Sequence, residues 1–367
     1  MNKKIKIHLV AGARPNFMKV APLFHELKKE SWCDVSIIAT GQHYSPELSD
    51  VFLKEFSLPT PHFHLGVGEG TSTEQLNKII TEYEKVFLKT APDLVIVVGD
   101  VTSTLAGCLA AKKNNVPVAH VEAGLRSRDL TMPEEKNRIE VDKVADLLFV
   151  PSPEAVTNLI SEGRKQSDIF WVGNIMIDTY CLLKPKIHDF IKTTGRPFGP
   201  QEFALVTLHR PSNVDEKSRF HLIVENLIKA CDVLPLVFPV HPRTEKKLKE
   251  FNLWEPLMRS QRIKLLPSLG YIEFMSFLEQ SCCVVTDSGG IQEESTYLNI
   301  LCFTLRKNSE RPITLSHGSN QLIEPEDLTK VLQDSLKRSR PKIDSPELWD
   351  GKTASRIITE LKNYFRL

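Results

Sequence analysis

The sequence predicts an α/β protein built from two doubly wound parallel sheets, one in each half of the chain. Short, uniformly apolar runs such as LVIVV and CVVT recur along its length, as strands buried on both faces require. Amphipathic stretches of helical length separate these runs, the rhythm of strand-helix-strand crossovers. The pattern is interrupted around 182–202 by LLKPKIHDFIKTTGRPFGPQE, rich in Pro, Gly and charge, which suits a surface linker, and then begins again. At 367 residues the chain also exceeds the roughly 250–300 residues that one hydrophobic core serves.

Taken in order, IKIHLVAG opens the first series and is followed by a helix from Pro15. VSIIAT leads into a helix near 46–56, and DLVIVVGD into a helix through 102–114; VPVAHVEAG, LLFVPS and IFWVGN continue the series. The second series runs FALVTLH, LPLVFPVH, IKLLPSL, CCVVTDS and ILCFTL, each followed by a helical segment. These bounds predict a first lobe over 1–180, a second over 181–350, and a C-terminal helix over 351–367 that packs back on the first lobe. Two facing sheets of this kind hold a ligand beyond the C-terminal ends of their strands, in the cleft between lobes. Polar residues that end strands are therefore the ones to weigh.

Composition narrows the class. A hydrophobic fraction of 41% and a charged fraction of 25% are ordinary for a packed globular protein and exclude disorder. With 47 Lys+Arg against 46 Asp+Glu, the net charge of +1 offers no general field for nucleic acid or an anionic membrane, so any anion site is local. The apolar part of MNKKIKIHLVAG is short and broken by Lys6 and His8, unlike a signal sequence, and no window approaches the roughly 20 apolar residues that span a bilayer. A cytoplasmic location is expected. The seven cysteines (33, 108, 181, 231, 282, 283, 302) are unspaced and several sit in apolar runs, which argues against disulfides and a metal knuckle alike.

The sharpest local signal is Asp287-Ser288-Gly289-Gly290, which closes an apolar run and opens a helix containing Gln292, Glu293 and Glu294. The glycines let a ligand approach the backbone, and the helix start attracts phosphate through its N–H groups and dipole. The same residues also suit a plain strand-to-helix turn with an Asp/Ser cap. Gly12-Ala13-Arg14-Pro15 follows the first strand, and Arg14 with Lys19 can reach a diphosphate or simply be solvated. In Gly66-Val67-Gly68-Glu69-Gly70 the dinucleotide spacing is broken at Thr71 and the later acid is absent, so NAD binding is discarded.

Three acids stand at strand or helix ends in the first half: Asp100 after VIVVG, Glu122 after VAHV, and Glu134 after Pro133. Desolvation and like-charge neighbours make such carboxylates candidate proton carriers. Each also has a structural use, Asp100 as a helix cap and Glu134 as a partner for Arg138; three at one sheet edge favour chemistry. In the second half His209-Arg210 ends FALVTL and His241 ends LPLVFPV, where a histidinium neutralises a departing pyrophosphate. No pair of histidines has helical spacing with a third ligand nearby, so zinc is a poor fit.

Together GARPNFMKVAPL, TGQH, VVGDVTSTLAG, HVEAGLRS, MPEEKNR, VGNIMIDT, VTLHRPSN, PVHPRT, TDSGGIQEE and ERPITLSHGSN resemble the non-hydrolysing UDP-N-acetylglucosamine 2-epimerases over nearly the whole chain. HVEAGLRS followed by PEEKNR, in a chain that later carries TDSGGIQEE, is specific to that branch. The resemblance implies two Rossmann-like lobes of the glycosyltransferase-B-like fold, a UDP-sugar substrate, no metal or redox cofactor, no nucleic-acid or membrane partner, and a homodimer serving polysaccharide biosynthesis. It implies C2 epimerisation by loss of UDP to 2-acetamidoglucal and its re-addition. Carried over by position, Asp100, Glu122 and Glu134 resemble the acid/base set and His209 the residue assisting UDP. Arg14, Ser288 and Gly289 resemble diphosphate contacts, Glu294 the ribose contact and Phe274 the ring on uracil, although YIEFMSFLEQ also reads as a helix core face. Lys19, His241 and Arg311 complete the implied substrate set.

Departures from the family text concern specificity and regulation. The stretch between Glu122 and Glu134 is shorter than in many bacterial members, and HRPSN replaces a more charged HRRE-type text. A related branch acts on UDP-2,3-diacetamido-2,3-dideoxyglucuronate, and an extra cation, here Arg128 or Lys136, would be its mark. Several bacterial members are activated by a second UDP-GlcNAc held by an Arg-Gln pair and by a glutamine after the QH motif. Here Gln42-His43 precedes Tyr44 and Ser45, and the pair reads Glu69-Gly70, which implies epimerisation in both directions without an activator. A glycosyltransferase of the same fold and a non-catalytic nucleotide-sugar sensor are the rival classes.

Overall fold

A computed structural model describes residues 4–12, 14–41, 53–68, 70–195, 197–316, 318–337 and 344–367. Most of the helix expected near 46–56 lies outside the described residues, as do Gln42 to Ser45, Glu69, Ala13 and the side chain of Arg14.

Among the described residues, seven strands form one parallel sheet: β1 (Ile5–Ala11), β2 (Cys33–Ala39), β3 (Phe63–His64), β4 (Leu94–Val98), β5 (Val118–Val121), β6 (Leu147–Val150) and β7 (Ile169–Trp171). Their order is β3-β2-β1-β4-β5-β6-β7. Six more form a second parallel sheet: β8 (Ala204–Thr207), β9 (Leu236–Pro239), β10 (Ile263–Leu266), β11 (Cys283–Thr286), β12 (Leu301–Thr304) and β13 (Asn320–Leu322), in the order β10-β9-β8-β11-β12-β13. Both sheets are doubly wound. The order reverses between β1 and β4 in the first and between β8 and β11 in the second, and a ligand crevice opens at such a reversal because adjacent loops diverge to opposite faces.

Every side chain of β4 (LVIVV) and of β11 (CVVT) is buried, which is why neither shows the in-out alternation of a half-exposed strand. Val95, Val97, Val118 and Leu148 share one core with Cys108, Ala110 and Ala111 of the Thr102–Lys113 helix. Val206, Phe238, Val285 and Phe303 share another with Phe220, Ile223 and Leu227 of the Lys217–Ala230 helix.

Internal contacts divide the chain into two compact units, Met1–Leu182 with Glu347–Leu367, and Leu183–Pro346. Within the first, the Thr353–Phe365 helix packs on the Arg14–Lys28 helix. Asp178 accepts the N–H groups of Thr353 (3.1 Å) and Ala354 (2.8 Å), capping that last helix from a distant point in the chain. The Trp349 indole N–H donates to the Pro151 carbonyl at 3.1 Å.

The stretch read as a linker over 182–202 is instead helical as far as Thr193, within the Ile175–Thr193 helix. Ile177, Tyr180, Leu183 and Ile187 are all buried, spaced three, three and four residues apart. That helical period outweighs Pro185, which the helix carries in its interior. No described helix is long and apolar enough to cross a membrane.

Candidate active site

In the first unit the crevice lies where β1 and β4 end side by side. The Gly12 N–H donates to Asn16 Oδ1 (3.1 Å), and Asn16 Nδ2 donates to the Val98 carbonyl (2.9 Å), so one amide ties the two strand ends together. Gly12 cannot carry a side chain, because a Cβ there would stand 2.0 Å from Ser103 Oγ. Lys19, one turn beyond Asn16 and buried, sets its ammonium against the Glu122 carboxylate. Glu122 leaves β5 with φ of +73°. That left-handed backbone costs a non-glycine residue about 1–2 kcal/mol and collects where geometry serves function. The Glu122 and Ala123 N–H groups both donate to Phe149 O at 3.1 Å, which holds the turn in place.

The Pro133–Val144 helix closes this cluster with a buried face that is charged rather than apolar: Glu135, Arg138 and Asp142, with Val141. Arg138, fully buried, is paired with the carboxylate of Asp100 and stands 3.9 Å from both Glu122 Oε1 and Glu135 Oε2. Asn137 Nδ2 donates to the Asp100 carbonyl at 2.9 Å. Glu135 accepts the N–H groups of Ser127 (2.8 Å) and Arg128 (2.9 Å), fixing the loop that leads into the helix. Two cations, Lys19 and Arg138, thus meet three carboxylates, Asp100, Glu122 and Glu135, in a largely desolvated place. Glu134 adds a fourth, half-buried, in the first turn of the helix. Acids held apart by shared cations can exchange a proton with a bound molecule without the whole group collapsing.

Asp100 and Glu122 are therefore brought together, and Glu134 sits on the helix that joins them. The capping role open to Asp100 is not taken: Val101 is the cap residue of the following helix and no side chain caps it. Arg138, read from sequence only as a neighbour for Glu134, is the hub of the cluster. The signal that marks it is the placing of charges at 135, 138 and 142, one face of a helix, where an ordinary core helix carries apolar residues.

In the second unit β8 and β11 end side by side, and Asp287, fully buried, stands between their loops. It accepts the N–H groups of His209 (3.1 Å) and Arg210 (3.0 Å) and the amide of Asn213 (3.1 Å). His209 Nδ1 lies 3.3 Å from Asp287 Oδ1. Burial pushes the His209 imidazole below its ordinary value, as do the charges of Arg210, Arg306 and Arg243, while Asp287 pulls the other way. Asp287 thus belongs to the neighbouring loop and not to its own helix, whose cap residue, Ser288, makes no side-chain cap bond.

The Gly289–Tyr297 helix opens with two glycines that the chain itself does not demand. A Cβ on Gly289 would meet Arg311 at 3.9 Å and one on Gly290 would meet nothing, so open space stands before the helix start. The N–H groups and positive dipole end of this helix suit an anion there. Arg311, buried, donates to Glu293 Oε1 (2.7 Å) and approaches Glu310 Oε2 (3.4 Å). Glu294, expected to meet ribose, is buried and accepts the Tyr271 hydroxyl at 2.7 Å. Phe274 is half-buried, and the core face of its helix is formed by Tyr271, Met275 and Leu278 instead. His241 is exposed; its Nδ1 accepts the Arg243 N–H at 3.2 Å, capping the Pro242–Glu250 helix, and its ring lies 5.5 Å from that of His209. Among the described residues no group of three His, Cys, Asp or Glu could hold a metal, and the seven cysteines are free thiols.

A family model for UDP-N-acetylglucosamine 2-epimerase matches residues 25–362. The chain belongs to that family. It is 40% identical over 362 residues to a UDP-N-acetylglucosamine 2-epimerase of Methanocaldococcus jannaschii, covering 96% of this chain and 98% of the relative. The crystal structure of a UDP-GlcNAc 2-epimerase from that organism, in complex with UDP-GlcNAc and UDP, superposes with a TM-score of 0.89 at 39% identity, covering 98% of this chain and all of the other. A Pseudomonas aeruginosa UDP-2,3-diacetamido-2,3-dideoxy-D-glucuronate 2-epimerase is 35% identical over 364 residues, 97% of this chain and 99% of the relative. The fold is accordingly the glycosyltransferase-B-like one of these 2-epimerases. Of the two cations weighed as marks of the glucuronate branch, both are exposed, and Arg128 donates to Asn158 Oδ1 at 3.1 Å.

Proposed function

We propose that this chain inverts C2 of a UDP-linked 2-acetamido sugar, interconverting UDP-GlcNAc and UDP-ManNAc. The meeting of Asp100, Glu122, Lys19 and Arg138 at the end of the first sheet carries the reading, supported by membership of the 2-epimerase family. A carboxylate removes the C2 proton. The C2–H electron pair forms the C1=C2 bond, the C1–O bond breaks, and UDP leaves with its pair, giving 2-acetamidoglucal. The reverse step adds UDP to C1 while a second acid delivers a proton to the opposite face of C2, so inversion needs more than one carboxylate, drawn from Asp100, Glu122 and Glu134. In the second unit the Gly289 helix start, Ser288, Arg311 and His209 suit the developing charge on the pyrophosphate, with Glu294 and Phe274 for ribose and uracil. Arg14, Lys19 and His241 complete the substrate contacts. The same reading makes the protein a homodimeric, cytoplasmic enzyme of polysaccharide biosynthesis.

The deciding experiment incubates the purified protein with UDP-GlcNAc alone in deuterium oxide and follows the sugar signals by NMR. UDP-ManNAc carrying deuterium at C2 is the expected product. Product without deuterium would indicate a redox route. No product until an acceptor is supplied would indicate a transferase, and turnover of the diacetamidoglucuronate substrate alone would move the protein to that branch.

A further inference from the structure

Behind the acid cluster lies a second set of charged residues that no step above uses. His120, on β5 and fully buried, has Nε2 2.8 Å from the Gly99 carbonyl and Nδ1 2.6 Å from Asp142 Oδ1. Asp142, 1% exposed, accepts the Gly124 N–H on Oδ2 at 3.0 Å, and Arg126 Nη1 stands 2.8 Å from the same oxygen. Arg126 in turn donates from Nε and Nη2 to the two oxygens of Glu162, at 2.8 and 2.6 Å, where the chain of contacts reaches partly exposed ground.

Two facts about this chain matter. Gly99 immediately precedes Asp100, and Gly124 lies two residues beyond Glu122, so a single side-chain pair grips both turns that present the acids. The two ring nitrogens of His120 face two different elements, the Gly99 carbonyl and the Asp142 carboxylate, so the ring spans the gap between them. Burial alone would raise the Asp142 carboxyl, but His120, Arg126 and the Gly124 N–H outweigh it and hold the group below the usual carboxylate range.

We propose that the His120–Asp142 pair is a positioning device that sets the spacing of Asp100 and Glu122 for proton transfer at C2. The inference rests on the 2-epimerase reading. Neither residue touches the reacting atoms; they act through the backbone. Hydrogen bonds at both ends of one rigid ring fix the β4 and β5 exits against each other, while Arg126 and Glu162 keep Asp142 from turning away.

The test compares wild type with Asp142→Asn, which keeps shape but removes the charge, and His120→Gln. Active sites are counted by UDP binding, and kcat, KM and melting temperature are read separately. The expected result is a kcat lower by about thirtyfold, with KM and the Kd for UDP within about threefold, as a small misplacement of catalytic groups produces. A role confined to stability would lower the melting temperature and leave kcat per UDP-binding site unchanged, and that outcome overturns the proposal. If neither variant folds, Glu162→Gln, at the exposed end of the chain, decides it: kcat falls by at least about threefold or the proposal is wrong. Wild type that fails to epimerise UDP-GlcNAc overturns the functional reading itself and this inference with it; active wild type matched by its variants overturns only the inference.

Discussion

Arg138 reaches from the Pro133–Val144 helix to the carboxylate of Asp100, joining residues 38 positions apart at the end of β4. Because Arg138 is fully buried and also faces Glu122 and Glu135, its removal leaves carboxylates in a desolvated place without their cation. Arg138→Met is expected to lower unfolding free energy by about 3–5 kcal/mol, measured by urea denaturation. Arg138→Lys keeps the charge but not the planar fork that serves several acids, so it should recover part of the stability while kcat stays low. An Arg138→Met protein as stable as wild type would show that these pairs carry no weight.

His209 predicts a proton linked to nucleotide binding. Burial, followed by three nearby arginines, holds its imidazole below the ordinary value, so it is neutral in the free protein at neutral pH. A diphosphate beside it favours the imidazolium and raises that value again. Between the two values binding takes up a proton, and affinity for UDP should rise as pH falls through the window. Calorimetric titration with UDP near pH ~6.5, in buffers of different ionisation enthalpy, should show uptake of a fraction of a proton. The uptake should vanish in His209→Asn, which separates it from the titration of UDP itself. Equal uptake by both proteins would place the proton elsewhere.

His8 predicts acid sensitivity in the first unit. Buried among Phe63, Tyr83 and Phe87, with Nδ1 3.1 Å from the Tyr83 hydroxyl, it is pushed down to about 4 by burial first and then by the charges of His62 and Lys6. The unfolded chain protonates His8 near 6.5, whereas the folded chain resists until about 4, so the unfolded state binds more protons across that window. Stability is therefore intact above pH ~6.5 and declines as pH falls toward 4, by about 3 kcal/mol for this group. His8→Phe should begin lower by about 1 kcal/mol for the lost hydrogen bond, yet lose correspondingly less between neutral pH and pH ~4. Parallel pH profiles in urea denaturation would rule His8 out as the source.

Six strands of the first sheet and five of the second were legible in the sequence because a strand covered on both faces is largely apolar, whereas β3 (Phe63–His64) and β13 (Asn320–Leu322) were not, being short and partly exposed. Asp100, Glu122 and His209 were legible as candidates for a related reason: they stand where such a run stops and the chain turns out of the sheet. Family membership was legible in motifs such as HVEAGLRS and TDSGGIQEE, which do not depend on knowing the fold. The helix continuing to Thr193 was missed because Pro, Gly and charge outweighed a modest apolar period in a local reading. Only the tertiary structure decided what the polar groups bind. What Glu135, Arg138 and Asp142 bind was not legible, because hydropathy counts each residue alone and cannot supply the partners that make burial of charge tolerable. Those partners, at 100, 120, 122 and 126–128, lie on β5 or in the segments that follow β4 and β5. Asp287 likewise reads as a cap for the helix next to it, yet parallel pairing of β8 with β11 sets it against the His209 and Arg210 amides, and a buried carboxylate settles where the most N–H groups converge on it.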